Sequence, residues 1–299
     1  DSIKSIQISA RLHNFGWKLE LKDLFQYTII KELANHIKPV KEISYQGIIE
    51  GEVRLTPIQE WFFEHNFTDE HHFNLSVMLH RSEGFAEPIT KKTLNKLVEH
   101  HDVLRTIFKR EGGKIKQINR GICDDLVDIR VFDLRSENDY KKVIEEKCSK
   151  LQESIDLSCG PLVKLGLFKS KNRDYLLIVI HHLVMDTVSW RILFEDFISL
   201  YRQLEAGIEK EKLEIPLKST SYKEWAEKLY EYSNSEGLRE ELKYWQKIEN
   251  LGPVAHSKNK GNRMGKNKDS KDISFELEEE YTGKLLKQVN FAYNTEIND

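Results

Sequence analysis

The chain has 299 residues, 39% hydrophobic and 10% aromatic, which is enough apolar material for one large domain or two smaller ones. Its 46 basic and 49 acidic residues leave a net charge of −3, which gives no electrostatic reason to expect nucleic acid or an anionic membrane as the main partner. The sequence shows no 18-residue apolar run and no signal peptide, and its three cysteines lack CxxC spacing; these features favour a reduced, cytoplasmic compartment.

Residues 1–38 are predicted to form a small helical unit. Apolar residues recur near helical spacing in DSIKSIQISARL, Gly16 supplies a stop, and shorter helices are predicted at LKDLF and TIIKELANHI. Residues 39–52 are predicted to be a linker, because PVKEISYQGIIEGE has no periodicity and contains a proline and two glycines. The chain begins inside an element, so we expect it to be a piece of a longer protein.

From Val53 onward the pattern is mixed α and β. A helix with proline near its start is predicted at LTPIQEWFFEHN, a strand at HFNLSVMLHR, and an amphipathic helix followed by an extended segment at TKKTLNKLVEHHDVLRTIF. Another helix is predicted over 137–153. The polar loop KSKNRD separates LVKLGLF from YLLIVI, which predicts an antiparallel pair whose second strand is buried on both faces.

The next helix is predicted to run to about Gly207 with one apolar face, formed by Trp190, Leu193, Phe197, Tyr201 and Leu204. Further helices are predicted at SYKEWAEKLYEYS and LREELKYWQKI. Residues 256–272 are almost wholly polar and are predicted to be a mobile loop. A strand and helix that open a second lobe are then predicted at ISFELEEEYTGKLLKQV.

The sequence contains three adjacent histidine pairs: His71-His72, His100-His101 and His181-His182. The first two lie in polar surroundings, so we predict surface or structural roles for them. The third directly follows the buried strand YLLIVI. Neighbouring side chains on a strand point to opposite faces, so if the strand extends through both histidines only one of them can enter a given cavity. A buried, hydrogen-bonded pair is the alternative to catalysis. No metal site is predicted, since diverging histidines and Asp186 do not complete a ligand set.

The residues after the third pair favour a catalytic role. A short loop with Asp186, followed by a helix that starts near Thr187 to Ser189, would bring an imidazole close to free backbone N–H groups at a helix N-terminus. That geometry suits proton transfer beside a carbonyl whose oxygen gains negative charge.

The segment HHLVMDTVSWRIL resembles the HHxxxDG signature of the condensation superfamily of nonribosomal peptide synthetases, and its Ser189-Trp190-Arg191 is similar to the epimerization branch. In chain order, LTPIQEWFFEHN, HHDVLRTIF, IDLSCGPLVKLGLF and YNTEIND also resemble epimerization-domain motifs. The sequence DSIKSIQISARL is similar to the region around the phosphopantetheine serine of carrier proteins. The resemblance therefore implies a partial peptidyl carrier domain, the N-terminal lobe of an epimerization domain and the start of its second lobe, at 1–38, 53–255 and 273–299.

The implied fold is α/β (α+β), with a lobe like that of chloramphenicol acetyltransferase. The implied activity is epimerization of an L-aminoacyl or peptidyl thioester on a 4′-phosphopantetheine arm attached to Ser2. By match to the signature, His182 is the base or acid, while His181, Asp186 and the segment Ser189-Trp190-Arg191 support it; Asp186 is expected to pair with an arginine. The second catalytic residue, a glutamate, is expected beyond Asp299.

The implied partners are the carrier-bound thioester, an upstream adenylation domain and a downstream condensation domain. Thr187 departs from the glycine of the signature, which predicts either a narrowed or strained site or a helix cap made by the threonine hydroxyl. Three alternatives stay open: a condensation domain that forms peptide bonds, a noncatalytic carrier-docking domain, and a generic acyltransferase of related fold. The identity of the epimerized amino acid is not encoded in these motifs.

Overall fold

A computed structural model of the chain describes residues 2–40, 44–122, 126–127, 129–137, 139–251, 271, 273–293 and 295. The chain forms two compact units, residues 1–242 and 243–299. Among the described residues, no helix is long and apolar enough to cross a membrane.

The N-terminal residues form the short helices predicted for them. The elements in chain order are α1 (Ser2–Asn14), β1 (Trp17–Lys18), α2 (Leu21–Gln26), α3 (Ile30–Leu33) and β2 (Lys38–Pro39), with β1 and β2 paired antiparallel. Gly16 ends α1 as predicted: its φ of +81° is a left-handed conformation that suits glycine, and its N–H donates to the carbonyl of His13.

The second half of the predicted linker is held by hydrogen bonds to other residues of the unit 1–242. The side chain of Gln46 donates to the carbonyl of Lys218 (3.0 Å) and accepts from its N–H (2.8 Å). The N–H of Ile49 donates to the carboxylate of Asp102 (3.2 Å), and its carbonyl accepts from the buried guanidinium of Arg105 (3.1 Å). Asp102 and Arg105 are buried and bind each other at 2.6 Å, so Ile49 is anchored on a buried ion pair.

The main unit contains two further sheets. The larger has the order β4-β9-β8-β7, formed by Asn74–Arg81, Asp174–His181, Val163–Lys169 and Ile129–Asp133; its pairs are antiparallel except β7 with β8. The smaller has the order β3-β6-β5, formed by Gly51–Val53, Lys114–Asn119 and Thr106–Glu111. The predicted antiparallel pair is β8 with β9, and β9 is buried at every position from 176 to 181, which confirms the two-sided burial.

The helices of this unit cover the larger sheet or extend from it. They are α4 (Pro57–Glu64), α5 (Glu87–His100), α6 (Tyr140–Glu153), α7 (Ser189–Glu205) and α8 (Tyr222–Ser233), and α9 (Glu236–Asn250) crosses into the second unit. Thr56 and Gln59 form a capping box at the start of α4, with Pro57 in the first turn, so the predicted helix is confirmed there. Helices α5 and α7 pack together, and Leu97 and Leu200 are fully buried in the core.

In the second unit, residues 273–278 are not a strand, which corrects the prediction for ISFEL. A lone extended segment cannot satisfy its backbone groups in a ladder, and the described residues of this unit supply no partner strand. The helical part is confirmed by α10 (Glu279–Lys284), a π-helical turn (Leu285–Val289) and α11 (Asn290–Tyr293). Apart from Lys271, the predicted loop 256–272 lies outside the described residues.

Candidate functional site

His181, the last residue of the central strand β9, is buried and fully hydrogen-bonded. Its Nε2 donates to the carbonyl of Glu70 (2.9 Å), and its Nδ1 accepts from the N–H of Leu183 (3.2 Å). Burial lowers the pKa of His181 to about 4. The imidazole is therefore neutral near pH 7, and neither ring nitrogen is left for chemistry.

His182 points away from this buried position and is exposed. Its Nδ1 lies 2.8 Å from the carbonyl of Met185, and because a carbonyl only accepts, Nδ1 carries the proton. The lone pair of the neutral ring is then on Nε2, to which no N–H or O–H group in the described part of this unit donates. The strand ends at His181 and His182 begins a 3-10 turn, so strand alternation does not extend to His182. The two histidines nevertheless have different surroundings, and only His182 can accept a proton from a ligand.

His182 lines a cavity of about 500 Å³. The wall is mostly apolar, with a few polar side chains, and consists of Ile58, Gln59, Trp61, Phe62, Phe73, Val103, His182, Leu183, Val184, Met185, Asp186, Ser189 and Tyr222. A concave apolar site with few convergent polar groups is typical of small-molecule binding.

One polar corner of the cavity is built from α4 and the start of α8. The amide of Gln59 donates to the carbonyl of Leu183 (3.3 Å), while its oxygen accepts from the N–H of Thr56 (3.1 Å). The hydroxyl of Thr56 lies 2.8 Å from that of Tyr222, and burial raises the pKa of the Tyr222 phenol, which stays protonated. The capping-box spacing TPIQ locates Gln59 in the sequence, whereas no sequence pattern indicates Tyr222 or Phe73.

Asp186 caps helix α7. Its Oδ1 accepts from the N–H of Ser189 (2.7 Å) and from the Ser189 hydroxyl (2.6 Å). This corrects two expectations. The contacts of Asp186 in the described residues are with Ser189 rather than an arginine, since Arg191 pairs with Glu195 at 2.9 Å. The N–H of Ser189 is also occupied, so it is not free to stabilise an oxyanion.

Thr187 is exposed in the turn before α7. Among the described residues, Asn66 is the only non-glycine residue with a positive φ, so Thr187 needs no conformation reserved for glycine. The predicted backbone strain is therefore absent, and the predicted cap by the Thr187 hydroxyl is wrong because Asp186 makes the cap. Trp190 stacks on Phe194 at 5.3 Å, outside the cavity wall. Ser2 is the first residue of α1, and its side chain lies outside the described part.

The other histidine pairs have structural surroundings. His71 accepts from the N–H of Leu157 through Nδ1 (3.1 Å). His101 binds the buried carboxylate of Asp196 through Nε2 (2.8 Å), and burial lowers the pKa of His100 to about 4. The surface or structural role predicted for the second pair is confirmed by these contacts, which lie where α7 packs against α5. Among the described residues, no group of three or more His, Cys, Asp or Glu side chains is placed to hold a metal.

A family model for the condensation domain matches residues 49–299. The chain belongs to the condensation domain family. Gramicidin S synthase 1 of Brevibacillus brevis is 48% identical over 300 residues, which cover 100% of this chain and 27% of that protein. This member of the condensation domain family thus spans about a quarter of that relative's length.

Two solved structures share the mixed α/β fold. The epimerization domain from the third module of tyrocidine synthetase B is 44% identical, with a TM-score of 0.75 over 86% of this chain and 57% of that chain. The starter condensation domain of rhizomide synthetase is 19% identical, with a TM-score of 0.55 over 66% and 48%, respectively, and this likeness concerns the fold alone.

Proposed function

We propose that the chain is part of a nonribosomal peptide synthetase module that epimerizes an L-aminoacyl or peptidyl thioester to its D form. The observation that carries the proposal is the state of His182, which has its proton on Nδ1 and an unshared pair on Nε2 in an apolar cavity. The 44% identity to an epimerization domain supports this reaction over peptide-bond formation.

In the proposed reaction, Nε2 of His182 removes the Cα proton of the thioester. The C–H electrons form the enolate double bond while the carbonyl oxygen takes up the negative charge. The hydrogen bond from Nδ1 to the carbonyl of Met185 stabilises the imidazolium that results. Return of a proton to the opposite face of Cα gives the D centre. The donor on that face stays a prediction: a glutamate beyond Asp299.

The substrate is proposed to arrive on a 4′-phosphopantetheine arm attached to Ser2, with residues 1–38 as part of a peptidyl carrier domain. A groove of about 330 Å³ supports this route, because its wall includes Ala10 and His13 of α1 together with Val103 and Tyr222. The last two residues also line the His182 cavity. An upstream adenylation domain and a downstream condensation domain are proposed as the partners that supply and consume the thioester.

Peptide-bond formation is the second candidate, favoured by the description of the matching family model. In that reaction His182 would lie beside an attacking amine instead of a Cα proton. The two reactions differ in the fate of the Cα hydrogen. Epimerization exchanges it with solvent, whereas peptide-bond formation leaves it in place.

The test uses the natural full-length protein that contains this chain, loaded with an L-aminoacyl thioester in deuterated water. Epimerization gives deuterium at Cα and a D/L mixture in the released acid, and both are lost in His182→Gln. His72→Gln is the matched control, since His72 is an exposed histidine outside the cavity. Wild-type protein that forms a peptide product without exchange would contradict the proposal in favour of the second candidate.

A further inference from the structure

Four rings stack in a row that ends on His182. The ring centroids are 5.6 Å apart for His65 and Phe67, 5.7 Å for Phe67 and Phe73, and 5.6 Å for Phe73 and His182. The interplanar angles are 23°, 21° and 25°. These separations lie in the range of favourable offset stacking, so the plane of the His182 imidazole is coupled to that of Phe73.

A left-handed residue after α4 builds the outer end of this row. Helix α4 ends at Glu64, and Asn66 follows with a φ of +46°, a conformation that asparagine tolerates better than most residues. The reversal at Asn66 places Phe67 against the ring of His65. His65 is itself held by a hydrogen bond from Nδ1 to the carbonyl of Trp61 (2.9 Å).

The loop that carries the inner rings is attached to both histidines of the signature. The carbonyl of Phe73 accepts from the backbone N–H of His182 (2.8 Å), and the carbonyl of Glu70 accepts from Nε2 of His181 (2.9 Å). Phe73 therefore contacts His182 twice, through its main chain and through its ring.

We propose that Phe73 is a positioning residue that sets the ring plane of His182. The hydrogen bond to Met185 fixes one atom of the imidazole, Nδ1, and leaves the ring free to tilt about that contact. The stack on Phe73 removes this freedom, and the two constraints together fix the direction of the Nε2 lone pair. This inference rests on the proposed function, in which that lone pair receives the Cα proton.

The test compares Phe73→Leu and Phe73→Tyr in the natural full-length protein. Leucine keeps an apolar side chain in the cavity wall but loses the flat face, whereas tyrosine keeps the face. Because small misplacements of reacting groups carry large rate costs, we expect Phe73→Leu to slow Cα deuterium exchange of the tethered thioester by about tenfold. We expect Phe73→Tyr to retain most of the exchange rate.

A second readout reports the position of His182 without any reaction. Diethylpyrocarbonate acylates accessible imidazole nitrogens, and peptide mapping gives its rate at His182. We expect faster acylation in Phe73→Leu, because the ring is no longer covered by Phe73 and its Nε2 is more accessible, and a rate near that of the wild type in Phe73→Tyr. Phe132→Leu is the matched control: Phe132 stacks on Phe168 at 5.0 Å and 20°, away from the cavity, so we expect both rates to be unchanged.

Wild-type exchange in Phe73→Leu would overturn the inference, as would slow exchange in Phe73→Tyr or unchanged acylation of His182. If urea unfolding shows that Phe73→Leu does not fold, Phe67→Leu removes the ring behind Phe73 without touching His182. In Phe67→Leu, Cα exchange should be slower and acylation of His182 faster than in the wild type, with smaller changes than those expected for Phe73→Leu. No change in either rate would overturn the inference. Absence of exchange in the wild type would refute the proposed function, while the acylation rates would still decide the role of Phe73.

Discussion

A His-His dipeptide lies at the end of the buried strand β9 and another lies at the end of helix α5, but the ring nitrogens of the two pairs have different partners. At the strand end, His181 uses both ring nitrogens for structure, while His182 keeps Nε2 available in a cavity. At the helix end, His101 is bound to Asp196. The ring of His100 packs edge-on against the ring of His101, with centroids 4.9 Å apart.

The comparison shows which property separates a candidate base from a structural histidine. Burial does not separate the two pairs, because each pair contains one histidine whose pKa is lowered to about 4 by burial. The distinguishing property is a ring whose first nitrogen is held by a carbonyl while its second faces an apolar space of substrate size. The end of β9 produces this arrangement because His181 is the last strand residue and His182 begins a 3-10 turn, which gives the two side chains different surroundings.

The largest expected effect that tests this difference is on Cα exchange. We expect His182→Gln to lower the rate by about 10²- to 10⁴-fold, the usual contribution of a general base. His72→Gln should exchange like the wild type, as measured by mass spectrometry of the released amino acid. Exchange in His182→Gln within a factor of two of the wild type would erase the difference between the two pairs.

The second effect is on stability and concerns His181. His181→Ala leaves the carbonyl of Glu70 and the N–H of Leu183 without their partner, and we expect a loss of about 3 kcal/mol in the free energy of unfolding. Urea denaturation of the full-length protein, followed by a probe in this unit, gives the value. His72→Ala, at an exposed site, should change it by less than about 0.5 kcal/mol. Equal losses would show that the hydrogen bonds of His181 contribute nothing specific.

The third effect is a pH dependence of the free energy of unfolding, to which one histidine of each pair contributes. Folded His100 and His181 stay neutral down to a pKa of about 4, whereas a histidine in the unfolded chain takes up its proton near pH 6.5. Protonation therefore favours the unfolded state between these values, so stability should be constant above about pH 6.5 and fall as the pH is lowered toward 4. Urea midpoints across this window measure the slope, which should be shallower in His100→Gln. An identical slope in wild type and variant would contradict the prediction for His100.

The smallest effect concerns the cap of α7. Asp186→Ala should cost about 1 kcal/mol in unfolding free energy, the usual value of a helix cap. Asp186→Asn keeps an acceptor oxygen for Ser189 and should cost less, which urea denaturation can resolve. Equal losses in Asp186→Asn and Asp186→Ala would indicate that the charge of Asp186, and not its hydrogen bond to Ser189, provides the stabilisation.

Sequence patterns predict the framework of the strand-end site and most of its helices and strands. Alternation and burial identify β4, β8 and β9, but the direction of the His182 side chain does not follow from strand geometry, because His182 lies in a 3-10 turn after β9. The capping role of Asp186 was missed, because the resemblance assigned its carboxylate to an arginine and only the three-dimensional geometry brings it to the N–H of Ser189. Phe73 and Tyr222 were missed because their proximity to His182 depends on pairing between segments far apart in sequence. The strand predicted at 273–277 failed because extended propensity gives no structure without a partner.

The anchoring of Ile49 on the Asp102–Arg105 ion pair and of Gln46 on the backbone of Lys218 shortens the tether between the N-terminal helices and the lobe. From Pro39 to Gln46 the chain has only seven peptide units, which extend at most about 25 Å. In the proposed carrier role of residues 1–38, so short a tether gives an effective concentration in roughly the millimolar range toward the lobe. Under that proposal, weak contacts are enough for productive encounters, and weak contacts allow rapid release to the next partner.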